Sequence, residues 1–305
     1  MSSLANASVA NAKKPRIDKV KLKKHSFHVL ISVVRWIFLL GMCFVVLYPV
    51  FKQIALSVMD VQDMYDATVN YLPKHFTLEN YSQAWNKIGG WTTTLNSFFL
   101  TVSSSVLIVI SSTLVGYGLA RFKFKLNGLI FGLVILALVV PSDLFFTPRY
   151  IMFVQSNLTD TPVPILLFSI TCTGLKCSLY IFLMRQFFKG QPHELEEAAY
   201  VDGAGPLKTF IQIMLPGAVS MMVTVFLFSF VWQWLDSSYT TVFMRNVDLI
   251  STRFGDVNNI WGIDELTKSL VKNATIVIII SPLVVLYAFT QRFFVESISR
   301  SGLVG

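Results

Sequence analysis

Six apolar blocks constrain this chain more than any other feature. They run about 30–52, 97–120, 128–146, 163–184, 216–236 and 274–294. A bilayer core is crossed by roughly 20 apolar residues in a helix, and each block approaches or exceeds that length. In lipid, backbone N–H and C=O groups are satisfied only within helices or closed barrels. The apolar residues come in continuous runs and do not alternate with polar ones, which predicts helices and not barrel strands. Composition agrees: 54% of residues are hydrophobic and only 14% charged, against about 25% in soluble domains. The expected fold class is all-α integral membrane, with about six transmembrane helices over residues 30–305. Pro141 is expected to break the third. The stretch TPRYIMFVQSNLTDTPV is expected to be a short link between the third and fourth.

The net charge is +8, and most of it lies near the start. Residues 1–29 are basic, with Lys13, Lys14, Arg16, Lys19, Lys21, Lys23 and Lys24 against Asp18. Such a head fits a cytoplasmic anchor obeying the positive-inside bias better than a nucleic-acid site. The basic residues at Arg121, Lys123, Lys125, Arg185, Lys189, Lys208, Arg292 and Arg300 fall on the same side if the chain starts inside. The expectation is a multi-pass protein of the cell membrane with both termini cytoplasmic. No nucleic-acid partner is expected.

Cys43, Cys172 and Cys177 all lie in apolar blocks, without metal-ligand spacing or a disulfide framework. They read as small packing residues. The small residues of the second block (Ser97, Ser103, Ser104, Ser105, Ser111, Ser112, Gly116 and Gly118) predict a close helix–helix contact, with a polar path as the alternative. The outer segment after the first block predicts a helix start at Thr77, with Glu79 and Asn80 in its first turn. A second outer segment, NVDLISTRFGDVNNIWGIDELTK, embeds Trp261. Both are candidates for docking an extracellular partner or for packing over helix ends.

One inner segment departs from the short basic pattern: residues 192–216, beginning PHELEEAAYVDGAGPLKTF. Pro192 suits a first helical turn, and Glu194, Glu196 and Glu197 follow where acidic groups favour the helix dipole. Asp202-Gly203-Ala204-Gly205-Pro206 is a turn, with glycine supplying positive φ. A short amphipathic helix carrying Phe210, Ile211 and Met214 then leads to Leu215-Pro216. An acidic, alanine-rich, glycine-hinged helix suits a groove on a partner protein. The alternative, a helix lying on the membrane surface, sets an acidic face against an anionic leaflet.

The spacing Glu197-Ala198-Ala199, Gly203, Ile213, Leu215-Pro216 resembles the EAA signature of ABC importer permeases. Further segments resemble the MalG-like carbohydrate branch of that family, whose fold is the MetI-like one of type I importers. They are Phe76-Thr77-Leu78-Glu79-Asn80-Tyr81, Asn96-Ser97, Tyr117-Gly118-Leu119-Ala120-Arg121-Phe122, Trp232-Gln233-Trp234-Leu235-Asp236 and Gln291-Arg292-Phe293-Phe294-Val295. Arg149 departs from the branch, which usually has an apolar residue there. Ser220 and the tail Ser301-Gly302-Leu303-Val304-Gly305 depart as well.

The resemblance implies a coupling helix that docks in a cleft of a separate ATPase, with Glu194, Glu197, Ala198, Ala199, Asp202, Gly203, Ile213, Leu215 and Pro216 as the coupling residues. It implies two ATPase subunits, a second homologous permease in a heterodimer, and an extracellular solute-binding protein. It implies import of a carbohydrate, an oligosaccharide by preference. No P-loop pattern occurs, so ATP and Mg are expected to serve the partner ATPase, and no cofactor is expected on this chain. No nucleophile and base are paired, and His25, His28, His75 and His193 read as structural, so no catalysis is expected.

Lys176 and Asp143 are ionisable residues inside apolar blocks, the former mid-way along the fourth. Such groups usually face a bundle interior or a watery cavity. Lys176 is therefore a substrate-path candidate, with a snorkelling lysine as the alternative. Tyr180, Trp232 and Trp234 of the fourth and fifth blocks are further substrate-path candidates, because sugar sites usually combine aromatic stacking with hydrogen bonds. Asp143 is expected to cap the backbone broken at Pro141. Other solutes, or an ion-coupled secondary transporter, are alternatives. The latter calls for internal repeats that this sequence lacks.

Overall fold

The first apolar block becomes one long helix, α1 (Lys19–Ser57). The computed structural model describes residues 19–69, 72–257 and 264–302. The opening residues of the basic head and the outer-loop Trp261 therefore lie outside the described residues, as does the end of the tail. Contacts divide the chain into two units, 1–52 and 53–305. In the first, side chains of α1 from position 28 onward are apolar on every face and almost all exposed. A helix apolar all round needs lipid or another protein around it.

Among its described residues, the second unit is made of helices joined by turns, with one antiparallel bridge between Met59 and Phe76. Short helices α2 (Val61–Tyr65) and α3 (Glu79–Lys87) precede α4 (Gly90–Arg121). The apolar core then continues through α5 (Asn127–Val139), α6 (Phe146–Gln155), α7 (Val163–Ile170) and α8 (Cys177–Gly190). The inner segment holds α9 (Glu194–Val201), α10 (Pro206–Thr209), a π-helical turn at Phe210–Met214 and α11 (Leu215–Gly217). The chain closes with α12 (Val219–Leu235), α13 (Ser238–Phe243), α14 (Ile250–Val257) and α15 (Glu265–Gly302).

Three helices are long and apolar enough to cross a membrane among the described residues: His28–Ser57, Gly90–Arg121 and Glu265–Ser297. Two bent pairs bring the number to five: α5 with Ser142–Gln155 at 102°, and Pro206–Gly217 with α12 at 72°. Pro141 ends the third block as expected, since proline disfavours helix in the residue before it. The supposed link after it is largely helical, because α6 occupies it and buries Phe153. The fourth block is not one helix either. It breaks at 171–176 into α7 and α8, and Lys176 sits at the start of α8 instead of mid-helix.

Helix α4 is the centre of the second unit, packing chiefly on α8 and α12. The small-residue reading holds for one face of it. Ser97, Ser104, Ser105, Ser111 and Ser112 are buried. The Ser104 and Ser169 hydroxyls lie 2.7 Å apart, and Ser111 donates to the Ser169 carbonyl at 2.9 Å. A Cβ on Gly116 would fall 2.6 Å from the Met184 Cβ, so α4 and α8 touch there only because a side chain is missing. Ser103 is exposed and Gly118 has open space beside it, so these two take no part. Cys172 and Cys177 are buried in the same core beside Tyr180 and Met184.

The outer segments are built on side-chain caps. Buried Asp63 accepts from the Lys74 and His75 amides at 2.7 and 2.9 Å, and its carboxylate lies 2.6 Å from the His75 ring. Thr77 Oγ1 accepts from the Glu79 amide, and α3 itself begins at Glu79. Asn80 is buried and donates to the Ser57 and Met59 carbonyls. Ser97 accepts from the Ile250 amide at 2.8 Å, and Asp236 accepts from the amides of Tyr239 and Thr240. The family-like segments at 76–81, 96–97 and 232–236 thus contain residues that tie helix ends together.

Candidate functional site: an anchored acidic helix and a cleft at two broken helices

Helix α9 stands on a buried ion pair. Glu196 is 6% exposed. Its Oε1 accepts from the Tyr117 hydroxyl at 2.8 Å, and its Oε2 lies 3.4 Å from Arg121 Nε, whose side chain is 3% exposed. The same arginine donates to the Gln191 carbonyl at 2.8 Å, and its Nη1 lies 3.0 Å from His193 Nδ1. Tyr117 also packs on Phe188 and Phe210, with ring centroids 5.3 and 4.6 Å apart. The last turn of α4 therefore grips both arms of the inner segment. Unlike a surface pair, this one is shielded from solvent, and removing one partner leaves a buried charge.

The opposite side of α9 is open. Glu194, Glu197, Ala198 and Asp202 are exposed, and Ala199 is buried toward the core. The helix ends in a Schellman motif. Ala204 N–H donates to the Ala199 carbonyl and Gly203 N–H to that of Tyr200. Gly203 has φ +79, which a residue with a Cβ adopts only with strain. Pro206 then opens α10 at a position that has no N–H to lose. Ile213 and Leu215 pack half-buried on the core, and exposed Pro216 lies at the 72° bend into α12. The expected helix–turn–helix is present, with a π-helical turn in its second arm. The sequence reading passed over Glu196 as a separate anchor. Its adjacency to Glu197 hid the difference, because neighbours on a helix point about 100° apart.

The second feature is a cleft of about 700 Å³ where the α5–α6 and α7–α8 breaks meet. Pro141, Ser142 and Asp143 line one side, and Thr173, Gly174 and Lys176 the other, with Arg149 also in the wall. Arg149 donates to the Tyr239 hydroxyl at 3.2 Å and to the Thr173 carbonyl at 2.9 Å. Its guanidinium lies 4.8 Å from the Phe168 ring centroid. The Lys176 ammonium lies 4.8 Å from the Trp232 ring centroid. Cys172 and Lys176 both have positive φ, +53 and +55, in a region that residues other than glycine seldom occupy. The Asp143 carboxylate caps no backbone N–H among the described residues, so the expected capping role is not seen.

The substrate-path candidates separate. Lys176 and Trp232 come together, and Trp232 is 48% exposed. Tyr180 is fully buried between α4 and α8. Trp234 is a core residue whose indole donates to the Ile279 carbonyl at 3.0 Å and stacks on Phe230. Arg149, noted in the sequence only as a departure, belongs to the cleft wall.

Comparison with known proteins places these features. Residues 112–300 match the family described as binding-protein-dependent transport system inner membrane component. Among curated proteins, the sn-glycerol-3-phosphate transport system permease protein UgpE of Escherichia coli O157:H7 is 27% identical over 263 residues, covering 84% of this chain and 92% of that protein. The melibiose/raffinose/stachyose import permease protein MelC of Bacillus subtilis is 28% identical over 234 residues, covering 76% and 83%. A chain in the crystal structure of a bacterial ABC transporter involved in the import of the acidic polysaccharide alginate has the same fold. Its TM-score is 0.70 at 21% identity, covering 92% of this chain and 99% of that one. The match spans more than half the chain, from the middle of α4 through the acidic helix and the cleft to the end of α15, and on it this protein belongs to the inner membrane components of binding-protein-dependent transport systems.

Proposed function

We propose that this chain is one of two homologous permease subunits of an ATP-driven importer for a carbohydrate, an oligosaccharide by preference, delivered by an extracellular binding protein. Two ATPase subunits bind ATP and Mg and drive it. The chain itself is non-catalytic, holds no cofactor and crosses the cell membrane several times with both termini cytoplasmic. The observation that carries this reading is α9: an acidic, alanine-rich face left open, on a helix held from behind by a buried ion pair. A helix fixed through Glu196 to the end of α4, which itself packs on α8 and α12, passes a push on its open face to those helices. Closure of an ATPase dimer supplies that push. Two relatives, an sn-glycerol-3-phosphate transport system permease protein and a melibiose/raffinose/stachyose import permease protein, support the carbohydrate class.

The test is reconstitution of both permeases with the ATPase and the binding protein in liposomes, using raffinose and melibiose as the first probes. Glu197→Lys is expected to leave assembly of the membrane subunits intact and to abolish ATP-driven uptake. Wild-type uptake by that variant would remove α9 from the coupling.

A further inference from the structure

We infer that the cleft at the two broken helices binds an anionic group carried by the transported sugar, a carboxylate or a phosphate, through Arg149 and Lys176. This rests on the importer reading above and adds to it the charge of the cargo.

The size of the cleft fits such a ligand: about 700 Å³ lies within the range of about 300–1,000 Å³ typical of small-molecule sites. Its charges are unbalanced. Arg149 and Lys176 line it, and the one acid in the wall is Asp143. No carboxylate lies within 4 Å of either cation among the described residues. The ion pairs found there belong to the outer segments and to Glu196. Arg149 is held by a tyrosine hydroxyl, a backbone carbonyl and a ring face, all of them neutral. Lys176 rests on the Trp232 ring. These contacts orient the two cations without cancelling their charge.

Cations at membrane depth are costly and usually serve a substrate or ion pathway. Two of them, fixed in place and facing one cleft, form a receptor for negative charge. The backbone supports the same conclusion. Lys176 is held at φ +55, so the break in the fourth block presents this side chain from a strained position. Strain of that kind persists where the surrounding structure imposes it, and functional sites are where it concentrates. Trp232, half-exposed, braces the ammonium from outside the cleft wall and leaves its charge uncancelled.

The experiment uses the purified permease pair with its ATPase. Binding of three probes is measured by calorimetry at low and high salt: digalacturonate, glucose 1-phosphate and neutral melibiose. The inference predicts that at least one anionic probe binds, that melibiose binds at least about tenfold more weakly, and that salt erodes the difference. Arg149→Gln and Lys176→Gln each lower anionic affinity about tenfold, the scale of one lost charge-assisted hydrogen bond. Lys176→Arg, which keeps the charge, restores most of it and shows that the loss is not misfolding. Preference for digalacturonate assigns a carboxylate, and preference for glucose 1-phosphate a phosphate. Equal binding of melibiose, or unchanged anionic affinity in both glutamine variants, overturns the inference. If melibiose is nevertheless taken up, the importer reading stands without it. If no sugar binds or is transported, both fall.

Discussion

Two regions of this protein hold charged side chains in largely apolar surroundings, and they treat them in opposite ways. At the C-terminal end of α4, Arg121 and Glu196 face each other with a tyrosine hydroxyl and a backbone carbonyl completing the set. At the cleft, the direct contacts of Arg149 and Lys176 are neutral groups alone, and Asp143 is the one acid in the wall. The first arrangement is closed and joins two parts of the chain. The second is open and has room for a partner. Paired buried charge therefore marks architecture here, and unpaired charge marks a site waiting for a ligand.

The comparison breaks most readily at Glu196. Glu196→Ala strands the Arg121 guanidinium and is expected to cost about 3–5 kcal/mol in the unfolding free energy of the purified subunit. Its neighbour Glu197 is exposed, and Glu197→Lys should change stability by only about 0.5 kcal/mol or less while removing uptake. Equal stability losses at the two positions would erase the distinction between the buried and open sides of α9.

Intermediate effects follow from backbone and packing. Gly116→Ala forces apart the α4–α8 contact on which both regions depend, at about 1–3 kcal/mol. Gly203→Ala is expected to cost about 1 kcal/mol through its positive φ, since no neighbour stands within 4 Å of the new Cβ. Lys176→Met, by contrast, loses only a cation–π contact of about 0.5–1 kcal/mol, because no paired charge is left behind. Thermal unfolding of each variant in detergent ranks them.

The smallest effect sharpens the comparison at an exposed pair, Lys74 and Asp66. Hydrogen bonding from Lys74, with help from Thr68, holds the Asp66 carboxyl well below the usual carboxylate range. Its contribution is fully present above about pH 4, the ordinary Asp value, and is lost as pH falls through the lower folded value. Hydrogen exchange in the segment around Asp66 should rise as the medium is acidified, and Lys74→Ala should flatten that dependence. An exposed pair of this kind supports the outer segment weakly, unlike Arg121–Glu196.

Much of this was legible in the sequence because the relevant physics is local. Block length and continuity gave the helices, proline marked the break after α5, and glycine marked the Schellman turn at Gly203. The break between α7 and α8 was not legible. Residues 171–176 carry no proline and a single glycine, and the apolar run continues on both sides. The opposed roles of Glu196 and Glu197 were hidden for a related reason. Which of two adjacent carboxylates turns inward depends on where α4 ends, and that is a tertiary fact. Trp234 and Tyr180 read as path residues by type, and the structure buries both in the core.

The Arg121–Glu196 pair is the joint between α9 and α4. A double-mutant cycle with Glu196→Gln and Arg121→Met, read as unfolding free energy of the purified subunit in mixed micelles, tests it directly. The predicted result is a coupling energy toward the upper end of the range of about 0.5–3 kcal/mol seen for residues in contact. Additivity of the two single changes within about 0.5 kcal/mol would contradict it.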